Sequence, residues 1–165
     1  MRLLIAWVSL SMVTAPAAAA QRVLFARGQW ATLQSQDGRH CQAAARSLRD
    51  APKGAEQARA SFEFDAGGPR RGEFHVRLSR AARQGSSVIL SVGDQPFQLV
   101  ARGPDAWSTG PAQEAGIIAA ARIVSGMRVE ARDPSGRRFI DRYLLAGAPS
   151  AIDAAAAACA TSLVK

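Results

Sequence analysis

Short runs of alternating apolar and polar residues, each cut off by glycine, proline or an Asp-Gly pair, dominate this chain from residue 29 onward. Turn signals at such short intervals, with alternating segments between them, suggest many short antiparallel strands. The clearest strand has Phe74, Val76 and Leu78 on one face and Glu73, His75, Arg77 and Ser79 on the other.

Other segments repeat the pattern. Gln29–Gln34, carrying Trp30, is followed by the turn Gln36-Asp37-Gly38 and a partner strand through Cys41 and Ala43. Leu48–Gln57 contains Pro52 and Gly54 and reads as a loop. Phe62 and Phe64 alternate with Ser61, Glu63 and Asp65 before Gly67-Gly68-Pro69 breaks the chain. Ser87–Val92 is a continuous β-branched and apolar run, the signature of a buried central strand, and Phe97–Ala101 returns from it as a hairpin arm. Met127, Val129 and Ala131 alternate with Arg128, Glu130 and Arg132. Asp133-Pro134-Ser135-Gly136 then turns the chain into Phe139–Leu145.

Two segments read as helices instead. Pro111 suits a helix start ahead of Ala112–Ser125, which Gly126 closes. Ser150 and Asp153 have capping-box spacing, and the alanine run from Ala154 to Ala158 carries that helix to Cys159. The expected architecture is mainly β: an antiparallel β-sandwich or partly closed barrel with two short α-helices.

The first twenty residues do not belong to that pattern. Arg2 is followed by an apolar run, Leu3–Val13, and then by small residues ending at Ala18 and Ala20, the layout of a cleavable secretory signal peptide cut after Ala20, with Ala17 as the nearby alternative. The run is about 11 residues, short of the ~20 needed to span a bilayer. The expectation is one domain, residues 21–165, periplasmic or secreted, with no transmembrane segment.

Composition enters through charge. The chain carries 21 basic and 13 acidic residues, a formal net charge of +8. Only Lys53 and Lys165 are lysine and asparagine is absent, so part of the arginine excess reflects codon bias in a GC-rich genome. The positive charge still favours an anionic envelope or host-surface component as partner. It is too scattered, in the wrong compartment, to argue for nucleic acid. In an oxidising compartment the pair Cys41 and Cys159 is expected to form a disulfide joining the start of the domain to its end.

Candidate chemistry is sparse. His40 beside Cys41 is a poor metal pair, because adjacent strand residues face opposite ways and no second ligand cluster exists. No metal and no cofactor is expected. His75 lies between Glu73 and Arg77 and could serve a hydrolase, yet no Gly-x-Ser-x-Gly elbow is present. Trp30, Trp107 and Tyr143 could form a binding platform but suit a core better. Asp141 shares a strand face with Phe139 and Tyr143, which predicts a buried carboxylate, hydrogen-bonded or Arg-paired, and not a catalytic one. Arg70-Arg71 and Arg137-Arg138 each sit beside a turn. If the two turns share one end of the fold, four guanidinium groups would converge on an anion.

Trp107, the small-residue helix ending at Gly126, Met127-Arg128-Val129, Ser135-Gly136, Asp141-Arg142-Tyr143-Leu144-Leu145, Gly147 and the final helix to Cys159 occur in an order that resembles the invasion-associated locus B family of exported alphaproteobacterial proteins. Gly28-Gln29-Trp30, followed by Cys41, fits the opening of the same family. Leu144 departs from it, standing where a small hydroxyl residue is expected, and Leu48–Ala60 has no counterpart. The resemblance implies a β-rich envelope or secreted protein, linked to host-cell invasion in pathogens, with no catalytic residues to carry over. The expected function is therefore non-enzymatic binding of an envelope or host-surface component. The alternative is an envelope hydrolase, or an inhibitor of one, using His75 and nearby carboxylates.

Overall fold

A computed structural model describes residues 21–161. The expected signal peptide lies outside the described residues. Ten strands follow in chain order: β1 (Gln21–Arg27), β2 (Trp30–Ser35), β3 (His40–Arg46), β4 (Arg59–Asp65), β5 (Arg71–Arg77), β6 (Val88–Val92), β7 (Gln95–Arg102), β8 (Asp105–Trp107), β9 (Gly126–Arg132) and β10 (Arg138–Leu144). Helix α1 (Pro111–Ala121) falls between β8 and β9, and α2 (Ala148–Thr161) follows β10.

All the strands join one antiparallel sheet in the order β1-β2-β3-β4-β5-β8-β7-β6-β9-β10. The sheet is not closed into a barrel. It folds over on itself like a sandwich, and single bonds rather than a ladder tie its last strand to the early ones. The Trp30 indole Nε1 donates to the Leu144 carbonyl at 2.8 Å, and the Leu48 amide donates to the Arg142 carbonyl at 2.8 Å. Strand alternation decides what is enclosed. Trp30, Phe62, Phe74, Val76, Leu90, Val129 and Tyr143 all point to the inner face and are buried in one core.

The helices seal that core. Ile117, Ala120 and Ala121 of α1 are buried against the sheet. Along α2, Ala151 accepts a hydrogen bond from the buried Thr32 hydroxyl at 2.9 Å, and Cys159 is bridged to Cys41 across 5.8 Å between Cα atoms. The expected disulfide is present, and it fastens the C-terminal helix to β3.

Several local expectations are corrected. The first helix stops at Ala121, not Ser125, because Ser125 and Gly126 are drawn into the sheet as acceptors for Leu145 and Gly93. The second helix begins at Ala148, with Pro149 in its first turn, so Ser150 lies inside the helix and is not its cap. Asp153 pairs with Arg122, the residue that ends α1, instead of with its own helix end. The run ending at Val92 is central, yet it alternates: Val88, Leu90 and Val92 are buried while Ile89 and Ser91 are half exposed. Strands β1 and β8 carried no expectation. The first is largely exposed, and the second is only three residues long.

Candidate functional site

Two groups of polar side chains stand out on the outer face of the sheet. The first is built on β4, β5 and β8. Register places Ser61 opposite His75, and His75 opposite Trp107, on three neighbouring strands. The His75 ring stacks on the Trp107 indole, with centroids 5.3 Å apart. Its Nδ1 lies 3.2 Å from Glu63 Oε1, and its Nε2 lies 3.0 Å from Asp105 Oδ1. Arg77 holds Asp105 from the other side at 2.6 Å. Arg70 grips Asp65 with two parallel bonds of 2.8 Å and reaches Glu63 at 2.8 Å.

Burial alone would push the His75 pKa down, but the hydrogen bonds and negative charges of Glu63 and Asp105 outweigh it, and the net shift is upward. Burial likewise works to raise Glu63, and His75, Ser61 and Arg70 overcome it, leaving that carboxyl below its usual range. Both carboxylates thus favour the protonated form of the His75 ring. With a carboxylate at each ring nitrogen, the ring presents no free nitrogen to take a proton from a hydroxyl. Ser61, the nearest hydroxyl in register, donates to Glu63 Oε1 at 3.1 Å instead. Glu73, directly opposite Glu63, is raised by burial and then by the Glu63 charge. The arrangement is a charge brace across three strands.

The second group lies on the hairpin β9–β10. Its outer face presents Arg128, Glu130 and Arg132 on one strand and Arg138, Ile140, Arg142 and Leu144 on the other. Cross-strand register puts Arg128 opposite Arg142 and Arg132 opposite Arg138. Glu130 forms the carboxylate partner of Arg138, with two bonds of 2.5 Å, and its own pKa is held down by that guanidinium. Like charges set directly opposite on a sheet cost stability unless something neutralises them. At the Arg128–Arg142 end the hairpin borders a groove of about 370 Å³, lined also by Leu48, Asp94 and Leu144.

The residues singled out in the sequence are distributed differently from expectation. Arg70-Arg71 lies at the β4–β5 turn and Arg137-Arg138 at the β9–β10 turn. Following the antiparallel order from β4 to β9 reverses direction five times, so the two turns stand at opposite ends of the sheet. The structure does not bring the four arginines together. Arg70 is consumed by Asp65 and Glu63, and Arg138 by Glu130. Arg137 lies 3.3 Å from Asp133, whose carboxyl is held at about 2, first by the Ser135 hydroxyl and then by the Arg137 backbone and charge. Arg71 is exposed beside α1, in a shallow groove with Pro111 and Ile118.

Trp30 and Tyr143 are core residues, and Trp107 is half-buried on the outer face, so no three-aromatic platform forms. Asp141 is buried and accepts the Ser79 amide at 2.9 Å. Cys41 is committed to its disulfide, and His40 Nδ1 lies 3.2 Å from Asp65. Among the described residues no three His, Cys, Asp or Glu side chains are grouped as a metal site. No helix among them is long and apolar enough to cross a membrane.

Sequence reasoning did not single out Arg128, Arg142 and Leu48. The signal for the arginine pair was available. The three-residue loop Pro134-Ser135-Gly136 sets position 128 against 142, and both lie on the polar side of their strands. Leu48 carried no such signal, because only the fold brings its loop to β10. No family model matches the chain, no curated protein aligns with it, and no solved structure matches its fold.

Proposed function

We propose that this is an exported, non-enzymatic binding protein of the bacterial envelope, periplasmic or secreted, that engages an anionic envelope or host-surface component through the outer face of β9–β10. One observation carries the reading: the directly opposed, exposed arginines Arg128 and Arg142 on a hairpin where Glu130 offers the facing carboxylate to Arg138 instead. An anionic ligand neutralises such a pair and binds by charge-assisted hydrogen bonds. The Cys41–Cys159 disulfide suits a chain that works in an oxidising compartment. The resemblance to the invasion-associated locus B family points the same way. The hydrolase or inhibitor reading is weaker, because both nitrogens of His75 are occupied by carboxylates.

The test uses residues 21–165 incubated with bacterial envelope fractions and with host-cell membranes at low and high salt. Saturable retention by one fraction, lost at high salt and in the variant Arg128→Glu/Arg142→Glu, supports the reading. The matched reversal Arg83→Glu/Arg102→Glu, which alters a separate polar pocket, should retain binding. Equal losses in both variants would reduce the effect to net charge, and the proposed face would be abandoned.

A further inference from the structure

The groove at the end of the β9–β10 hairpin combines two chemistries. Arg128 and Arg142 stand opposite each other on adjacent strands, both exposed. Beside them Leu144 keeps 44% of its surface exposed and Leu48 keeps 51%, two of the few large apolar side chains left in water. The Leu48 position is fixed, since its amide donates to the Arg142 carbonyl at 2.8 Å. Both leucines line the same depression as the two guanidinium groups. Asp94 lines it too and is the single acid there.

A soluble polyanion would reward the arginines and gain nothing from the leucines. An anionic lipid uses both, its phosphate on the guanidinium pair and its acyl boundary against the apolar side chains. We infer that the Arg128–Arg142–Leu48–Leu144 groove docks the phosphate head group of an anionic phospholipid at a bilayer surface. The inference rests on the anionic-binding reading above and narrows it to a membrane. Arginine stems lying along apolar surface, with their head groups at phosphate level, suit that placement.

The experiment compares vesicles of phosphatidylglycerol mixed with phosphatidylcholine, vesicles of phosphatidylcholine alone, and dextran sulfate in solution. The chain used is residues 21–165. Wild-type protein should prefer the phosphatidylglycerol vesicles. Arg128→Gln/Arg142→Gln should weaken vesicle binding about thirtyfold, from about fivefold per arginine. Leu48→Ser/Leu144→Ser should weaken it on the order of tenfold or more while leaving dextran sulfate binding unchanged. Both leucines are surface residues, so unaltered circular dichroism spectra should confirm that the fold survives.

Vesicle binding that ignores the leucine pair but falls with the arginine pair would overturn the lipid inference and leave the anionic reading intact. Binding to either polyanion that ignores the arginine pair would overturn both. Equal affinity for phosphatidylcholine alone would also overturn the inference, because that surface carries no net charge.

Discussion

The His75 imidazole lies face to face with the Trp107 indole, planes 16° apart, because β5 and β8 set the two residues directly opposite. The stack holds the ring edge-on to Glu63 and Asp105, one at each nitrogen. The consecutive strands β4 and β5 and the distant β8 are thereby tied through one side chain. Its pKa is raised because those carboxylates outweigh burial.

That shift has a definite sign for stability. A histidine whose folded pKa lies above 6.5 stabilises the fold fully below pH 6.5, and the contribution is lost as pH rises through the folded value. Glu63 behaves oppositely: its contribution is complete above 4.5 and disappears as pH falls through its lowered folded value. The stability difference between wild type and His75→Gln should therefore be largest between about pH 4.5 and 6.5 and shrink toward alkaline pH. Urea denaturation across pH measures this. A difference that stays constant up to pH 9 would mean that the brace carries no proton.

The disulfide closes a loop with a sequence separation of 118. By chain entropy a loop of that length stabilises by about 5 kcal/mol. Cys159→Ser, or reduction of the wild type, should lower stability by about 3–5 kcal/mol and release α2 from β3 first. Chemical denaturation with and without reductant gives the magnitude, and hydrogen exchange along α2 locates the effect. Unchanged protection of α2 after reduction would show that packing of Ala151, Ile152 and Ala155 suffices by itself.

The β1–β2 turn and the β10–α2 connection touch backbone to backbone at two glycines. A Cβ on Gly147, where φ is +93°, would strike the Arg27 carbonyl, and one on Gly28, where φ is +61°, would strike the Ala146 carbonyl. Gly147→Ala should cost about 2–4 kcal/mol, combining left-handed strain with a clash against backbone that cannot yield. Gly54→Ala, with φ +83° and open space around it, isolates the conformational part and should cost about 1 kcal/mol. Matching urea midpoints for the two variants would remove the steric argument.

Much of this fold is written locally. Alternation at Phe74, Val76 and Leu78, and again at Met127, Val129 and Ala131, places those side chains on the inner face, and they are buried there. The Asp133–Gly136 turn determines the β9–β10 register, and with it the facing of Arg128 and Arg142. The predicted burial of Asp141 and the pairing of the two cysteines also agree with the structure. The strand faces and the hairpin register follow from short-range rules, since a strand has a period of two and a tight turn fixes the residues on either side of it, whereas the cysteine pairing followed from there being only two cysteines.

Tertiary structure decided the rest. Strand β8 sits beside β5 only because the chain skips over β6 and β7 before returning, and without that detour His75 would have neither Trp107 nor Asp105. Strand order likewise sends Arg70-Arg71 and Arg137-Arg138 to opposite ends, although both pairs flank turns that look alike in sequence. Ser125 and Gly126 leave a helical composition because sheet partners claim them, and Leu48 reaches the arginine pair only because β10 comes back against the loop that follows β3. Sequence periodicity reports which side of a strand a residue occupies. It carries no information about which distant strand lies alongside, because that choice is made by the burial of the whole inner face at once.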